Sequence, residues 1–193
     1  MIDYIRGKIS QITPTFVTIE TCGVGYLINI SLSTFTKLEG QTEFRILVHE
    51  VIREDAHQLF GFADKEERDI FRLLISVTGV GASTARMMLS SLSSAEVEKA
   101  VIGSDVNTLK GVKGIGLKTA ERIIVDLRDK IGKQGGTGEI FARTDNTKRE
   151  EALSALVMLG FARSAVLKAL DKIVREDRTL TVEDMIKRAL KNF

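Results

Sequence analysis

The chain has 193 residues, of which 44% are hydrophobic and 28% are charged, a composition that allows a folded core and excludes a disordered chain. Its 28 basic and 26 acidic side chains nearly cancel, so the overall charge neither indicates nor excludes a nucleic-acid partner. The single cysteine, Cys22, excludes an internal disulfide framework, and no apolar run approaches the roughly 20 residues that a membrane helix needs. We therefore expect a globular, cytoplasmic protein with no membrane partner.

Residues 1–63 are predicted to form a small β domain. The candidate strands are short, rich in β-branched residues and separated by turn residues: Tyr4–Ile9, Phe16–Ile19, Tyr26–Ile30, Phe44–Val51 and Gln58–Phe62. Five such strands predict a small barrel or sandwich, and the OB-fold is a common five-stranded barrel. This domain has five basic and seven acidic residues, so its charge does not favour nucleic-acid binding.

Helical periodicity begins at residue 64 and continues to residue 133, interrupted by short turns that contain glycine. A glycine-rich stretch follows, and we predict that residues 134–147 form a flexible linker. Residues 148–193 return to helical periodicity, with a helix stop at Gly160-Phe161 and a helix start at Thr181. The sequence therefore predicts an α+β multidomain chain that ends in three helices.

Two segments of the helical region repeat one pattern. Gly79–Gly81 and Gly114–Gly116 each place a hydrophobic residue between two glycines, and an alanine follows after three more residues. This pattern is typical of a helix-hairpin-helix turn. The glycines permit backbone angles that a Cβ would block and let a phosphate approach, while the next helix offers free N–H groups and the positive end of its dipole. No side chain of such a turn reads base edges, so we expect binding that is independent of base sequence.

A single turn of this kind can also be a plain connection between helices that binds no ligand. Two copies, each followed by hydroxyl or basic residues, favour an anion site. Around the second copy seven basic residues, Lys110, Lys113, Lys118, Arg122, Arg128, Lys130 and Lys133, stand against three acidic ones, Glu121, Asp126 and Asp129. The glycines match neither the dinucleotide-binding fingerprint nor the Walker phosphate loop, so we predict no ATPase site, cofactor or metal.

The adjacent acids Glu54 and Asp55 lie between the last two predicted strands. They can be a solvated hairpin tip, a negative prong beside a DNA surface, or a metal-binding nuclease pair. His49 and His57 have no convincing nucleophile or metal-ligand companion in the sequence, and we expect Cys22 to be a packing residue. We therefore predict no catalytic residue.

The order of these segments resembles the RuvA family, the Holliday-junction-recognition subunits of the bacterial branch-migration machine. The segments that carry the resemblance are Ile5–Ile9, Gly23–Tyr26, Val51–Ala56, Leu59–Phe62 and, most specifically, Lys113–Gly116 with Thr119–Arg122. The resemblance covers essentially the whole chain. It implies an N-terminal OB-fold barrel, a central tandem helix-hairpin-helix domain, a linker and a mobile C-terminal three-helix domain similar to a ubiquitin-associated fold.

The resemblance also implies a function and partners. It implies a homotetramer, with an octamer left open, that holds a four-way DNA junction open and works with the RuvB hexameric ATPase and the RuvC resolvase. Glu54 and Asp55 match the acidic pin of the family, where clustered carboxylates would repel phosphates. The predicted DNA-binding residues are Gly79, Val80, Gly81, Ser83, Thr84, Arg86, Lys110, Gly111, Lys113, Gly114, Gly116, Lys118, Thr119 and Arg122.

The sequence departs from the family in both glycine turns. Ala82 and Ser83 stand where members often have Pro and Lys, and Leu117 stands where members often have the first of two lysines. Each departure removes one cation, and we expect Arg86, Lys110 and Lys113 to compensate.

Two other interpretations remain open. One is a repair nuclease or glycosylase built on the same turns, using Glu54 and Asp55 with a metal, or Asp126. The other is a protein adaptor, in which exposed parts of the stripe formed by Val166, Leu167 and Leu170 dock a motor or other partner. The same stripe can instead form the core of its own small domain.

Overall fold

The structure is a computed structural model and describes residues 1–134, 143–177 and 180–191. The chain divides into two compact units, Met1–Gly136 and Thr137–Phe193. Within the described residues the first unit contains five strands and six helices, and the second contains three helices. The predicted α+β multidomain fold is confirmed. The predicted boundaries after residues 63, 133 and 147 stay predictions, and residues 135–142 of the predicted linker lie outside the described residues.

The N-terminal strands form a closed barrel. They are β1 (Tyr4–Ile12), β2 (Phe16–Thr21), β3 (Val24–Ile30), β4 (Glu43–Ile52) and β5 (His57–Phe62). Their order around the barrel is β1-β2-β3-β5-β4. β3 and β5 pair in parallel, and the other neighbouring pairs are antiparallel. The five-stranded barrel predicted from the sequence is confirmed, and each predicted strand lies within an observed one.

Alternate residues of the strands fill the barrel, as the pleat of a strand requires. Ile28 and Ile30 of β3 and Ile46 and Val48 of β4 are at most 1% exposed. Gly61 of β5 lies against this core, where an added Cβ would be 2.5 Å from side-chain atoms of both Ile28 and Ile46. The barrel interior is therefore packed with side chains and leaves no room for a larger residue at this position.

A short helix, α1 (Leu32–Leu38), connects β3 to β4, where the sequence predicts no helix. Three of its seven residues are Ser or Thr, which favour caps and turns over helix interiors. Tertiary contacts stabilise it, because Leu38 is fully buried in the barrel core. The Ser31 side chain begins the helix by accepting a 3.0 Å hydrogen bond from the amide of Thr34.

The helices of the first unit after the barrel are α2 (Lys65–Ile75), α3 (Ala82–Ser91), α4 (Ser94–Ile102), α5 (Val106–Lys110) and α6 (Leu117–Gln134). Their core includes Phe60 and Phe62 of β5. The rings of these two residues lie 5.3 and 4.8 Å from the ring of Phe71 in α2. One face of β5 therefore packs against the barrel core and the other against the core of the helices, so β5 joins the two cores.

A buried carboxylate strengthens the contact between α1 and α2. Glu67 is 2% exposed and accepts hydrogen bonds from the hydroxyls of Ser31 and, at 2.7 Å, Thr34. The Thr34 hydroxyl in turn accepts from the amide of Ala63 at 3.0 Å. Burial raises the pKa of Glu67, and the two hydroxyl donors oppose that rise without cancelling it.

The second unit consists of α7 (Arg143–Met158), α8 (Arg163–Glu176) and α9 (Val182–Leu190). The predicted helix stop lies at the end of α7. Gly160 has a φ of +97° and its amide donates to Val157, while the amide of Phe161 donates to Leu156. This is the left-handed ending that favours glycine after a helix. The side chain of Thr181 begins α9 by accepting from the amide of Asp184, as the sequence indicates.

The apolar stripe of α8 lies inside this unit. Val166 and Leu170 are fully buried, and Leu167 is partly buried against the same core. The interpretation of Val166 and Leu170 as an exposed docking stripe is therefore corrected, because three short helices need this stripe to form a core at all. Among the residues of this unit that the structure describes, the most exposed large apolar side chains are instead Met158 and Leu159, at 88% and 61%.

Candidate nucleic-acid interface

The two glycine turns have the same backbone geometry. Gly79 and Gly114 have φ values of +95° and +92°, in the left-handed region that favours glycine. In each turn the amide of the residue after this glycine donates to the carbonyl of a preceding valine. Val80 donates to Val77 at 3.0 Å, and Ile115 donates to Val112 at 3.1 Å. The repeat recognised in the sequence is therefore a structural repeat.

The middle residue of each turn anchors it in the core. Val80 and Ile115 are each 5% exposed, and the alanines four residues after the second glycines, Ala85 and Ala120, are fully buried. The side chain of Val80 is therefore buried and its amide is engaged within the turn. Gly111 is exposed, and its amide donates to Asn107 at the end of α5. The predicted roles of Val80 and Gly111 in DNA binding stay predictions.

The second glycine of each turn has no structural need to be glycine. Gly81 has an ordinary φ of −83°, and an added Cβ at Gly81 or Gly116 would meet nothing within 4 Å. Both residues are exposed on the side of the turn that faces solvent. A glycine that the fold does not require, directly before a helix, leaves room for a ligand to approach the backbone.

These glycines precede helix starts whose amides are available. Gly81 is the N-cap of α3 and provides no side-chain cap, and Gly116 directly precedes α6. Within the described residues no hydrogen bond engages the amides of Gly81, Ser83 or Lys118. Unpaired amides and the positive end of the helix dipole together favour an anion at each turn.

The side chains around the second turn add positive charge. The cations Lys110, Lys113, Lys118, Arg122, Arg128 and Lys130 are all exposed, while the side chain of Lys133 lies outside the described residues. The first turn has hydroxyls instead, with Ser83 exposed and Thr84 half-buried; Thr119 of the second turn is half-buried too. The two turns have the same backbone conformation, but more basic side chains surround the second turn.

Two cations of α6 bring the turns together. Arg122 donates from Nη1 to the carbonyl of Thr78 in the first turn at 3.3 Å. Lys130 lies 3.5 Å from the hydroxyl of Ser76 at the end of α2. The helix that begins at the second turn therefore runs beside the first turn, and the two candidate anion sites belong to one surface. The sequence does not indicate this link, because it depends on a contact between residues far apart in the chain.

Asp105 supports the second turn from the preceding helix. Its carboxylate caps α5, accepting from the amide of Thr108 at 3.1 Å and from the Thr108 hydroxyl at 2.7 Å. These hydrogen bonds from Thr108 lower the pKa of Asp105. The cap holds a helix of only five residues, which ends directly before the turn.

The Arg86 guanidinium contacts the barrel. It extends from α3, and its Nη1 donates to the carbonyl of Thr15 at 2.8 Å and to Oδ1 of Asn29 at 3.3 Å. Arg86 therefore joins α3 to the barrel, and its predicted phosphate contact stays a prediction. The sequence does not indicate the barrel contact, because it joins residues far apart in the chain.

The acidic pair forms the tip of the hairpin between β4 and β5. Glu54 and Asp55 are exposed, and the turn is closed by the amide of Arg53, which donates to the carbonyl of Ala56 at 2.8 Å. Below the tip, Glu50 lies 2.8 Å from His57, and this hydrogen bond lowers the pKa of Glu50. The pair is thus presented to solvent on a short, closed hairpin.

No group of three or more His, Cys, Asp or Glu side chains in the described part of the chain could hold a metal ion. Asp126 is exposed on α6 and is not part of such a group. In residues 1–134, 143–177 and 180–191 no helix is long and apolar enough to cross a membrane.

A closed five-stranded barrel followed by paired glycine turns defines a tandem helix-hairpin-helix protein built on an OB-like domain. Family models agree with that class along the chain. The model of the RuvA N terminal domain matches residues 1–61, a SAM-like helix-hairpin-helix tandem matches residues 71–129, and the RuvA C-terminal domain matches residues 147–192. The chain belongs to the RuvA family, and the resemblance stated from the sequence is confirmed.

Relatives that match along their whole length support membership of the same family. A protein of Christiangramia forsetii is 52% identical over 193 residues, and one of Bacteroides fragilis is 46% identical over 201 residues, each match covering 100% of both chains. A protein of Porphyromonas gingivalis is 50% identical over 200 residues, covering 99% of each chain. All three are named Holliday junction branch migration complex subunit RuvA. The prediction that the chain is a non-catalytic subunit is confirmed by this membership.

Proposed function

We propose that this chain binds four-way DNA junctions independently of base sequence, as a homotetramer, and recruits the RuvB motor for branch migration. The observation that carries the proposal is the pair of exposed glycine turns on one surface, each with unpaired amides at a helix start. The names of the full-length relatives support the same ligand and the same complex.

The two turns would bind the backbone of a DNA arm through phosphates. Amides at Gly81 and Gly116 would donate to phosphate oxygens, and Lys113, Lys118 and Arg122 would add charge at the second turn. Because such contacts carry no sequence information, selectivity has to come from the shape of the DNA.

Glu54 and Asp55 would supply that selectivity. Four subunits around a four-way junction would bring four acidic hairpins to its centre, where their carboxylates repel the phosphates of stacked or linear DNA. An open junction places its strands apart at the centre and tolerates this charge. The hairpin would therefore disfavour duplex rather than attract the junction.

The test compares one four-way junction with a linear duplex of the same arm sequence, by fluorescence anisotropy over a range of salt. We expect the junction to bind at least about tenfold more tightly, which corresponds to about 1.4 kcal/mol, and both affinities to fall steeply as salt rises. Equal affinity for the two DNAs would refute the proposal. Sedimentation of the free chain and of its junction complex tests the tetramer separately.

A further inference from the structure

Arg86 and Ser90 attach α3 to the barrel at two points. Arg86 donates to the carbonyl of Thr15 and to Oδ1 of Asn29, at 2.8 and 3.3 Å. One turn further along, the Ser90 hydroxyl accepts from the amide of Leu32 at the start of α1, at 3.1 Å. Both residues lie on the helix that begins at the first glycine turn, so this turn is held to the barrel through these hydrogen bonds as well as through the packing of the helices on β5.

The Arg86 contact continues to β5. Asn29, which accepts from Arg86, donates from Nδ2 to the carbonyl of Leu59 at 3.2 Å. The carbonyl of Thr15 also accepts from the amide of Ile30 at 3.1 Å, which fixes the acceptor in place. A chain of direct hydrogen bonds therefore runs from α3 through β3 to β5, the strand that leaves the acidic hairpin.

The hydrogen bonds of Arg86 and Asn29 lie between the first glycine turn and the acidic hairpin, the two features that the proposed function combines. Along α3, Arg86 is five residues after Gly81, or about 7.5 Å at the rise of a helix. Along β5, Leu59 is two residues after His57, where the strand leaves the acidic hairpin, or about 7 Å at the rise of a strand. The chain itself takes a longer path from Asp55 to Gly81, through the whole of β5, α2 and the first turn.

We propose that Arg86 is a positioning residue, which with Asn29 fixes the first glycine turn relative to the acidic hairpin and so sets the preference for junction over duplex. This inference rests on the proposed function. A linear duplex needs only the glycine turns, whereas discrimination between the two DNAs needs the turns and the hairpin at a set distance. Arg86 serves this purpose through the barrel, because its guanidinium is directed at Thr15 and Asn29.

Two full-length variants separate positioning from direct DNA contact. Arg86→Met removes the charge and the donors while keeping a long side chain that suits a helix. Asn29→Ala removes the acceptor without changing any charge. Each is measured, with the unchanged chain, for affinity to a junction and to a duplex of the same sequence across a salt series, and thermal unfolding checks that each is folded.

We expect both variants to reduce the ratio of junction to duplex affinity by about three- to tenfold, and the double variant to lose no more than the larger single effect. We expect the slope of log affinity against log salt to stay unchanged in both. Lys118→Ala is the control, since the magnitude of that slope falls by roughly 0.9 for each phosphate that the protein no longer neutralises. Should Arg86→Met fail to fold, Asn29→Ala supplies the same comparison.

Two results would overturn the inference. A lower salt slope in Arg86→Met alone would make Arg86 a phosphate contact. An unchanged affinity ratio in both folded variants, whether both affinities are retained or fall equally, would leave the Arg86–Asn29 contact without a role in selectivity. If the unchanged chain itself shows no junction preference, the proposed function fails first, and that result is distinct from both.

Discussion

Gly81 and Gly116 have open space around the missing Cβ, yet both are glycine. Gly79 and Gly114 are different, because their φ values of +95° and +92° strain any other residue. Each turn therefore contains one glycine that the backbone conformation favours and one that it does not require. The two kinds can be separated by experiment.

Gly81→Ala should lower the free energy of unfolding by less than about 1 kcal/mol, since alanine is less favoured than glycine at an N-cap. It should weaken junction binding by about tenfold, because a methyl group would stand between the amides and a phosphate. Gly79→Ala should lower the free energy of unfolding by about 1 kcal/mol or more, since alanine is strained at positive φ. Urea unfolding and anisotropy titration measure the two quantities. Gly25→Ala is the control, because its Cβ would make only an ordinary 3.4 Å contact in the barrel. A folded Gly81→Ala variant with full affinity would contradict the assignment.

Glu67 predicts a pH dependence of stability. Its folded pKa is raised above 4.5, so the folded state binds the proton more tightly than the unfolded chain does. The stability that this carboxyl contributes is therefore greatest at low pH and falls as pH rises from about 4.5 through the raised pKa. Glu67→Gln cannot titrate. The unfolding free energy of the unchanged chain minus that of this variant should therefore fall as pH rises over that range. A difference that does not vary with pH would contradict this account.

At the level of elements, the β4–β5 hairpin presents its acids on a closed two-residue tip. Replacing Glu54 and Asp55 together, as Glu54→Gln with Asp55→Asn, keeps the shape and removes two negative charges per subunit. We expect tighter binding to linear duplex and a smaller preference for the junction, because a repulsion is removed. Glu39→Gln removes a negative charge at the end of α1 and should have little effect. Unchanged duplex affinity in the hairpin variant would favour a solvated tip.

The sequence predicts the glycine turns, but it does not predict α1. The glycine turns combine a positive φ, a buried middle residue and a buried alanine, and each requirement selects a residue type visible in the sequence. The segment of α1 lacks such a signal, because its serines and threonines favour non-helical conformations. The burial of Leu38 and the cap at Ser31 determine this helix, and both depend on the assembled barrel.

For the whole molecule, the sequence predicts the order of barrel, glycine turns and terminal helices, because each has its own periodicity and punctuation. It does not predict contacts between distant segments. The sequence alone therefore assigns Arg86 to DNA although it contacts the barrel, and it does not reveal the link from Arg122 to Thr78. Val166 and Leu170 show the same limit, since periodicity identifies an apolar face without showing what covers it.

The division into two units predicts separable activities. Deleting residues 148–193 should leave junction affinity within about twofold, because the glycine turns and the acidic hairpin both belong to the first unit, and should abolish stimulation of the RuvB ATPase. Anisotropy and ATP hydrolysis in the presence of junction DNA measure the two effects. Loss of junction binding on deletion would refute this division of labour.

The structure of the full-length chain bound to a synthetic four-way junction tests the central claim most directly. We predict phosphate oxygens at about 2.7–3.2 Å from backbone amide nitrogens at the starts of both α3 and α6, with the acidic hairpin at the junction centre. The same amide contacts should recur when the arm sequences are changed. DNA bound on another face of the molecule, with Gly81 and Gly116 open to solvent, would contradict the account.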